Sequence, residues 1–421
     1  MVKSLTFSNL EVSKKSTKVN ISILNQYIEE CRNALECNAK INKCFEKVFI
    51  DALQLYMCIP DRVNFLQLGR YGKFSEQTYR NNFEKADIDW VAFNSSLSGR
   101  ILSGSRRAIA IDPSHISKSG HKTPWIGHFW SGVAQSMKRG LEILGIGLVD
   151  ADDKDCVALS AVQTPDTVTL DNQDSNIVEW YASVLASKKD QLQKLSRNIV
   201  ADAFFSKEPF VTPMCEKGFE VISRFRNDAV LYYPTTKEHT GRRGRPTLYD
   251  GKIDFANIDL TRCEEHDSDK GKLYSLKAYS KALKRMVKLV VWYPEDGSAR
   301  WQLYFCTNCE MTGKDIIDIY RTRFQIEFCF RDAKQHAGLT HCQSTSVNKL
   351  AFNFNASLTS INLAKAASKS LGIPFSISSC KSVIHNAYML ERFICVSGLK
   401  PNKQLIGKLF KELVFFSSKA A

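Results

Sequence analysis

Two short apolar runs, RRAIAID at residues 106–112 and NIVAD at 198–202, each close on an aspartate. Runs of this length, β-branched and continuous, suit strands buried on both faces better than an amphipathic helix. Between and beyond them lie further strand-like runs, LEILGIGLVD, CVALSAVQT, FEVISRFR and AVLYYP, and one helical segment, NIVEWYASVLASKKDQLQKLS. Such alternation implies an α/β fold up to residue 233. It would bring two carboxylates, Asp112 and Asp202, to strand ends. An aspartate after a strand is a common turn former, so neither residue carries an argument alone.

The flanks differ in character. Residues 1–100 read as mostly helical and polar, and DRVNFLQLGRYGKFSEQTYRNNFEK suggests two short helices around Gly72 with Ser75 capping the second. That second helix would expose Gln77, Thr78, Arg80 and Asn81, residue types that contact base edges or phosphates; a plain helical hairpin with a wet face fits equally. Residues 234–304 shift to glycine turns, charges and period-two segments such as RMVKLVVWYPEDGSARWQLYF, and carry the most basic run, TGRRGRP. This reads as a β-rich insertion. Helical patterns return over residues 350–421. The acidic cluster Asp150, Asp152, Asp153 and Asp155 lacks the glycine of a calcium loop and reads as a solvated hairpin turn.

The charge balance narrows the partner. Lysine and arginine number 58 against 44 aspartates and glutamates, a net charge of +14 and a pI near 9.1. No basic amphipathic helix stands out, so the excess points to nucleic acid before membrane. The N-terminus lacks the apolar run of a signal peptide and no stretch is long enough to span a bilayer. A cytoplasmic protein is expected, with its 13 cysteines reduced. Cys306 and Cys309 form a C-x-x-C pair without a second pair at zinc-ribbon spacing; Cys329, His336, His341 and Cys342 could be imagined as partners, but Cys329 falls in the middle of a helix, on its far side from Glu327. Buried thiols are the simpler reading.

The most specific feature is IYRTRFQIEFCFRDAK, residues 319–334. Read as one helix at about 100° per residue, Tyr320, Arg323, Glu327 and Lys334 fall at about 0°, 300°, 340° and 320°. Ile319, Ile326, Phe330 and Ala333 form the adjoining apolar stripe. One face is thus anchored in a core, and the next presents a carboxylate flanked by three groups able to hold an anion. With Asp112 and Asp202, Glu327 would complete a set able to hold two magnesium ions about 4 Å apart. Such a pair activates a water or a 3′-hydroxyl on one side of a phosphodiester and stabilises the leaving oxygen on the other.

This combination resembles the DDE transposases of bacterial insertion sequences, in particular the family named for insertion sequence four, marked by Tyr-x2-Arg-x3-Glu-x6-Lys. AIAIDPSHISKSG and NIVADAFF resemble its two aspartate blocks. The resemblance covers about residues 100–345 and implies an α/β, ribonuclease H-like catalytic domain interrupted by a β-rich insertion, with helical N- and C-terminal regions. It implies residues 101–233 and 305–349 as the two parts of the core and 234–304 as the insertion. The first 100 and last 75 residues match only in general helical character; residues 1–100 are expected as a helical DNA-binding region and 350–421 as a helical C-terminal region able to dimerise. The resemblance also implies cut-and-paste transposition on double-stranded DNA, at terminal inverted repeats and target, through a hairpin intermediate. Catalysis and metal binding would rest on Asp112, Asp202 and Glu327 with two Mg2+, for which Mn2+ can substitute. A homodimer would pair two ends, in the bacterial cytoplasm at the nucleoid.

Tyr320, Arg323 and Lys334 would hold the phosphates flanking a flipped base, and a tryptophan in the insertion, Trp301 first and Trp292 second, would stack on it. Phe324 offers a further surface. Arg242, Arg243 and Arg245 in GRRGRP would touch the DNA backbone. Two other readings remain open at this stage. One is a DNA-binding regulator or decayed element product, and the other is a host nuclease of the same fold that cuts without joining.

Overall fold

The structure, a computed structural model of the chain, describes residues 23–36, 41–236, 249–268, 271–295 and 301–415. The GRRGRP arm with Arg242, Arg243 and Arg245 lies outside the described residues. Among the described residues five helices come first: α1 (Ile23–Leu35), α2 (Lys43–Cys58), α3 (Phe65–Tyr71), α4 (Glu76–Lys85) and α5 (Trp90–Ile101). The starts of α2 to α5 follow side-chain capping, with Asn42, Asn64, Ser75 and Asp89 each accepting a backbone N–H of the first turn. The α3–α4 pair turns at Gly72, as its sequence suggests. Gln77 and Asn81 are exposed and bonded to each other at 2.7 Å. Arg80 is committed within the protein, paired with Glu76 and lying over the Phe65 ring.

Among the described residues a mixed sheet of 12 strands follows. The first four strands are β1 (Arg107–Ser117), β2 (Gly127–Ser131), β3 (Ser136–Asp150) and β4 (Asp155–Gln163). Then come α6 (Thr167–Asp171), α7 (Ile177–Ser187), α8 (Lys189–Gln193), β5 (Asn198–Val200), α9 (Glu208–Glu216) and β6 (Glu220–Phe225). The β-rich part holds β7 (Leu231–Pro234), β8 (Tyr249–Lys252), β9 (Glu264–His266), β10 (Gly271–Ser280), β11 (Arg285–Pro294) and β12 (Gln302–Cys306). The chain closes with α10 (Gly313–Thr322), α11 (Gln325–His336), α12 (Val347–Ser370), α13 (Ile377–Ser397) and α14 (Lys403–Leu409). The main path is β2-β3-β1-β5-β6-β12-β11-β10-β7-β8, with β4 paired to β3 and β9 to β10. Among the described residues only β1–β5 and β5–β6 are parallel.

Three expectations change here. First, β1 does not end at Asp112 but runs on to Ser117, paired with β3 throughout. Pro113 is tolerated because β5 pairs only with Ile109 and Ala110, so beyond them one edge of β1 asks for no ladder N–H. Second, the acidic turn is not merely solvated. Asp150 is fully buried and accepts from Arg107 Nε and from the amides of Asp152 and Asp153. Asp152 holds Arg106, which also reaches Asp315 and Asp318 on α10. The turn therefore fixes the start of β1 against α10. Third, the β-rich segment does not stand apart: β12 pairs with β6 over Leu303–Cys306 and carries the sheet into β11 and β10.

Two glycines of β3 set how closely α11 lies on the sheet. A Cβ on Gly145 would run into the Phe330 ring, and one on Gly147 would lie 3.3 Å from Ile326. Gly145 pairs with Asp112. The helix bearing Glu327 is thus lowered onto the strand bearing Asp112 by the absence of side chains beneath it. Helix α12 is buried on nearly every side, including Asn353, Asn355, Ser357, Thr359 and Asn362. Its amides are matched: Asn355 Nδ2 donates to Ala161 O at 2.9 Å, and Asn362 Nδ2 to Ala158 O at 2.7 Å and to Asn94 Oδ1 at 2.8 Å.

Candidate active site

Cross-strand pairing carries one face from strand to strand. Ala110 pairs with Val200 and Val200 with Ile222. Two residues further along, Asp112, Asp202 and Arg224 continue that face. Arg224 pairs with Tyr304, and Gln302, two residues before Tyr304, pairs with Trp292. Helices α10 and α11 lie over this face, as the approach of Phe330 to Gly145 and the 4.9 Å separation of the Tyr304 and Tyr320 rings show. Asp202 follows β5 and caps a short 3₁₀ turn, accepting from Phe204 N at 3.0 Å.

The stretch read as one helix is two. The chain steps from α10 to α11 at Arg323 and Phe324 through i→i−3 hydrogen bonds, Arg323 N to Tyr320 O, Ile326 N to Arg323 O and Glu327 N to Phe324 O. This tighter winding interrupts the single 100° wheel, yet Tyr320 still meets Arg323, Arg323 still bonds Glu327, and Lys334 still feels the charge of Asp112. Arg323, 13% exposed, donates from Nη1 to Asp112 Oδ1 at 3.0 Å and from Nη2 to Glu327 Oε1 at 2.8 Å. Lys334 donates to the His115 carbonyl at 2.8 Å, and burial pulls its pKa down against the favourable charge of Asp112. The Tyr320 hydroxyl is pushed up by burial, opposed by Arg323 and Arg224.

Asp112 is a strongly perturbed carboxylate. Burial lifts it from 3.8 to about 7; Arg323 lowers it, while the charges of Glu327 and Asp202 raise it further. Asp202 is also raised, first by burial, with Glu327 adding to it. These carboxylates therefore feel one another, and a guanidinium bridges two of them. Among the described residues no three His, Cys, Asp or Glu side chains close up into a ready-made metal cage. The donor chemistry nevertheless fits a hard divalent cation, since all three groups offer carboxylate oxygen and their mutual repulsion is what such a cation relieves.

The two tryptophans are placed differently. Trp301 precedes β12, packs on Phe255 at 6.0 Å and donates from Nε1 to Asn227 O at 3.3 Å. Trp292 lies on the face of the aspartates, with the Arg321 guanidinium 5.6 Å above its ring and its buried Nε1 without a partner among the described residues. Phe324 is exposed and packs edge-on against Phe328. Arg224, which sequence reading passes over, sits on the same face with its Nε buried and unpartnered. An arginine inside the apolar run FEVISRFR is the available signal.

Residues 182–363 match the family model described as the transposase DDE domain. The match takes in Asp202, Arg224, Trp292, Arg323 and Glu327, covers less than half of the chain, and begins after Asp112. It supports a transposase, and with that DNA as partner and dependence on a divalent metal. Asp112 joins the site on geometry alone, through Arg323 and the pairing with Gly145. Comparison with curated proteins finds no match. Among the described residues no helix is long and apolar enough to cross a membrane.

Proposed function

We propose that the chain is a cut-and-paste DNA transposase of the insertion sequence four family, with a ribonuclease H-like core built on β1, β5, β6 and α11. The carrying observation is that Asp112 and Asp202 continue one sheet face while Arg323 ties Asp112 to Glu327, in and beside the stretch similar to transposase domains. Asp112, Asp202 and Glu327 would hold two Mg2+. That pair supplies charge neutralisation at the reacting phosphate and a more acidic attacking hydroxyl. The protein's own groups do the rest. Arg323, Arg224 and Tyr320 line the approach to the carboxylates and suit the phosphate of a bound strand. Trp292, on the catalytic face, is better placed than Trp301 to receive an unstacked base. The chain would act as a dimer on paired ends.

The test is incubation of the full chain with labelled end DNA and Mg2+. Nicked, then hairpinned, then joined products are expected. Binding without cleavage would instead make it a regulator, and cleavage without joining a nuclease. The rate should depend on pH through Asp112, which must shed its proton before it can share a cation. Its folded pKa, about 7, lies above the ordinary 3.8. Between those values the folded chain therefore holds the extra proton, and rising pH withdraws stability as it generates the charged form. Cleavage should climb as pH rises to about 7 and then level, with more Mg2+ moving the rise to lower pH. A rate unchanged across that interval would contradict the role of Asp112.

Arg242, Arg243 and Arg245 are proposed to touch DNA phosphates. Replacing all three by alanine should flatten the dependence of log K on log salt by about 0.9 for each phosphate that an arginine had neutralised, on related and unrelated DNA alike. A full slope in the triple variant would remove the arm from the interface.

A further inference from the structure

The β2–β3 hairpin leaves the sheet with a composition no structural duty explains. From Lys118 to Gly140 the chain has no acidic residue, against Lys118, Lys122, Lys138 and Arg139 and two histidines. Beyond Gly140, where β1 ends, the N-terminal part of β3 is paired only with β2. Register fixes what this ribbon shows on each side. His128 pairs with Arg139 and Trp130 with Met137, so these four share a face, and all four are exposed. Trp130 is 58% and Met137 56% exposed, an apolar pair left in water beside a guanidinium. His121 Nδ1 lies 3.1 Å from Arg139 Nη2. The opposite face, by contrast, buries Phe129.

That exposed face is also the face of Asp112. Asp112 pairs with Gly145, and Met137 lies an even number of residues before Gly145 on the same strand. Eight residues of β3 at about 3.3 Å each put the Trp130–Met137 pair roughly 26 Å from Asp112, about eight base pairs of duplex at about 3.4 Å per pair. Between Gly145 and Met137 that face is covered, with Ile143, Leu141 and Ile116 buried, so the ribbon emerges on the catalytic side of the sheet where the covered part ends. The geometry points to a second contact for duplex DNA, in which Arg139, with His128 and His121, meets phosphates while Trp130 and Met137 press on the sugar and base edges of a groove. The charge decides between occupants: a second copy of a chain already at +14 has no reason to approach a basic face, whereas a polyanion does.

This inference rests on DNA as the partner but not on cleavage, so its test is a binding measurement. The full chain is titrated with a 30-base-pair duplex of arbitrary sequence (about three helical turns) at several salt concentrations. Arg139→Ala should lower the salt slope by about 0.9, with Arg139→Lys restoring it. Trp130→Ala should weaken binding about tenfold without changing the slope, because it removes a contact without charge. Both side chains are exposed, so melting temperatures should match the parent. Unchanged affinity and slope in both variants would overturn the inference and leave the transposase reading standing. So would a shift in oligomeric state with DNA binding intact, which would make the face a protein contact. Altered binding in a chain that never cleaves DNA would do the reverse, sparing the hairpin contact and sinking the transposase.

Discussion

Asp112→Asn, Asp202→Asn and Glu327→Gln should each reduce cleavage by about a thousandfold or more while end binding persists. The amides keep the shape of the carboxyls and remove only the charge, and a cation contributes several kcal/mol to stabilising the phosphoryl transition state, about tenfold in rate for each 1.36 kcal/mol. The Asp112 variant separates function from stability most sharply. Its carboxyl is held in a site that burial makes hostile to charge, so the amide should not lower the melting temperature. Any rise in melting temperature that Mg2+ gives the parent should vanish in all three variants. Near-normal cleavage in one of them would remove that residue from the site.

Arg323→Ala should be the most damaging change outside the three carboxylates. Its guanidinium is nearly buried and satisfies Asp112 and Glu327 at once. Stripping one partner from a buried ion pair costs roughly 3–5 kcal/mol, and half-exposed Glu327 brings the expectation here to about 2 kcal/mol. Two carboxylates left facing each other should then welcome a divalent cation, so Mg2+ should raise the melting temperature of this variant more than that of the parent. Arg323→Lys should recover little, because an ammonium cannot span both acids in a planar fork. On DNA, hairpin formation from pre-nicked ends should suffer more than the first nick, which needs only a strand laid across the carboxylates. Hairpinning must also offset the few kcal/mol of unstacking a base. The readout is a gel resolving nicked, hairpinned and double-end-broken products. Parental hairpinning together with indifference to Mg2+ would make Arg323 a structural clasp only.

The residues proposed for the site stand out in the sequence alone. Asp112 and Asp202 announce themselves by closing apolar runs, and Glu327 by its neighbours at fixed spacings. What the residues do not show is where an element breaks or runs on. The wheel placing Tyr320 with Glu327 assumes α-helical bonds through Arg323, where the chain takes i→i−3 bonds instead. Asp112 reads as a strand end because Pro113 follows it, and the pairing that excuses the proline is a long-range matter. Arg224 escapes notice because β6 is covered on both sides, so no alternation marks its odd residue. Choosing between Trp292 and Trp301 turns on the register of β11 against β12 and of β12 against β6, which no periodicity encodes.

The burial of α12 bears on how this chain can be cut down. A helix sheathed on nearly every side cannot serve as a border. α5 supplies the Asn94 that meets Asn362 and Thr359, α2 supplies the Tyr56 that donates to Asn353, and β4 supplies the carbonyls held by Asn355 and Asn362. Fragments beginning after the N-terminal helices would strand a row of amides and hydroxyls with neither partner nor water. The two helical ends and the sheet they enclose should therefore fold, or fail to fold, as one unit.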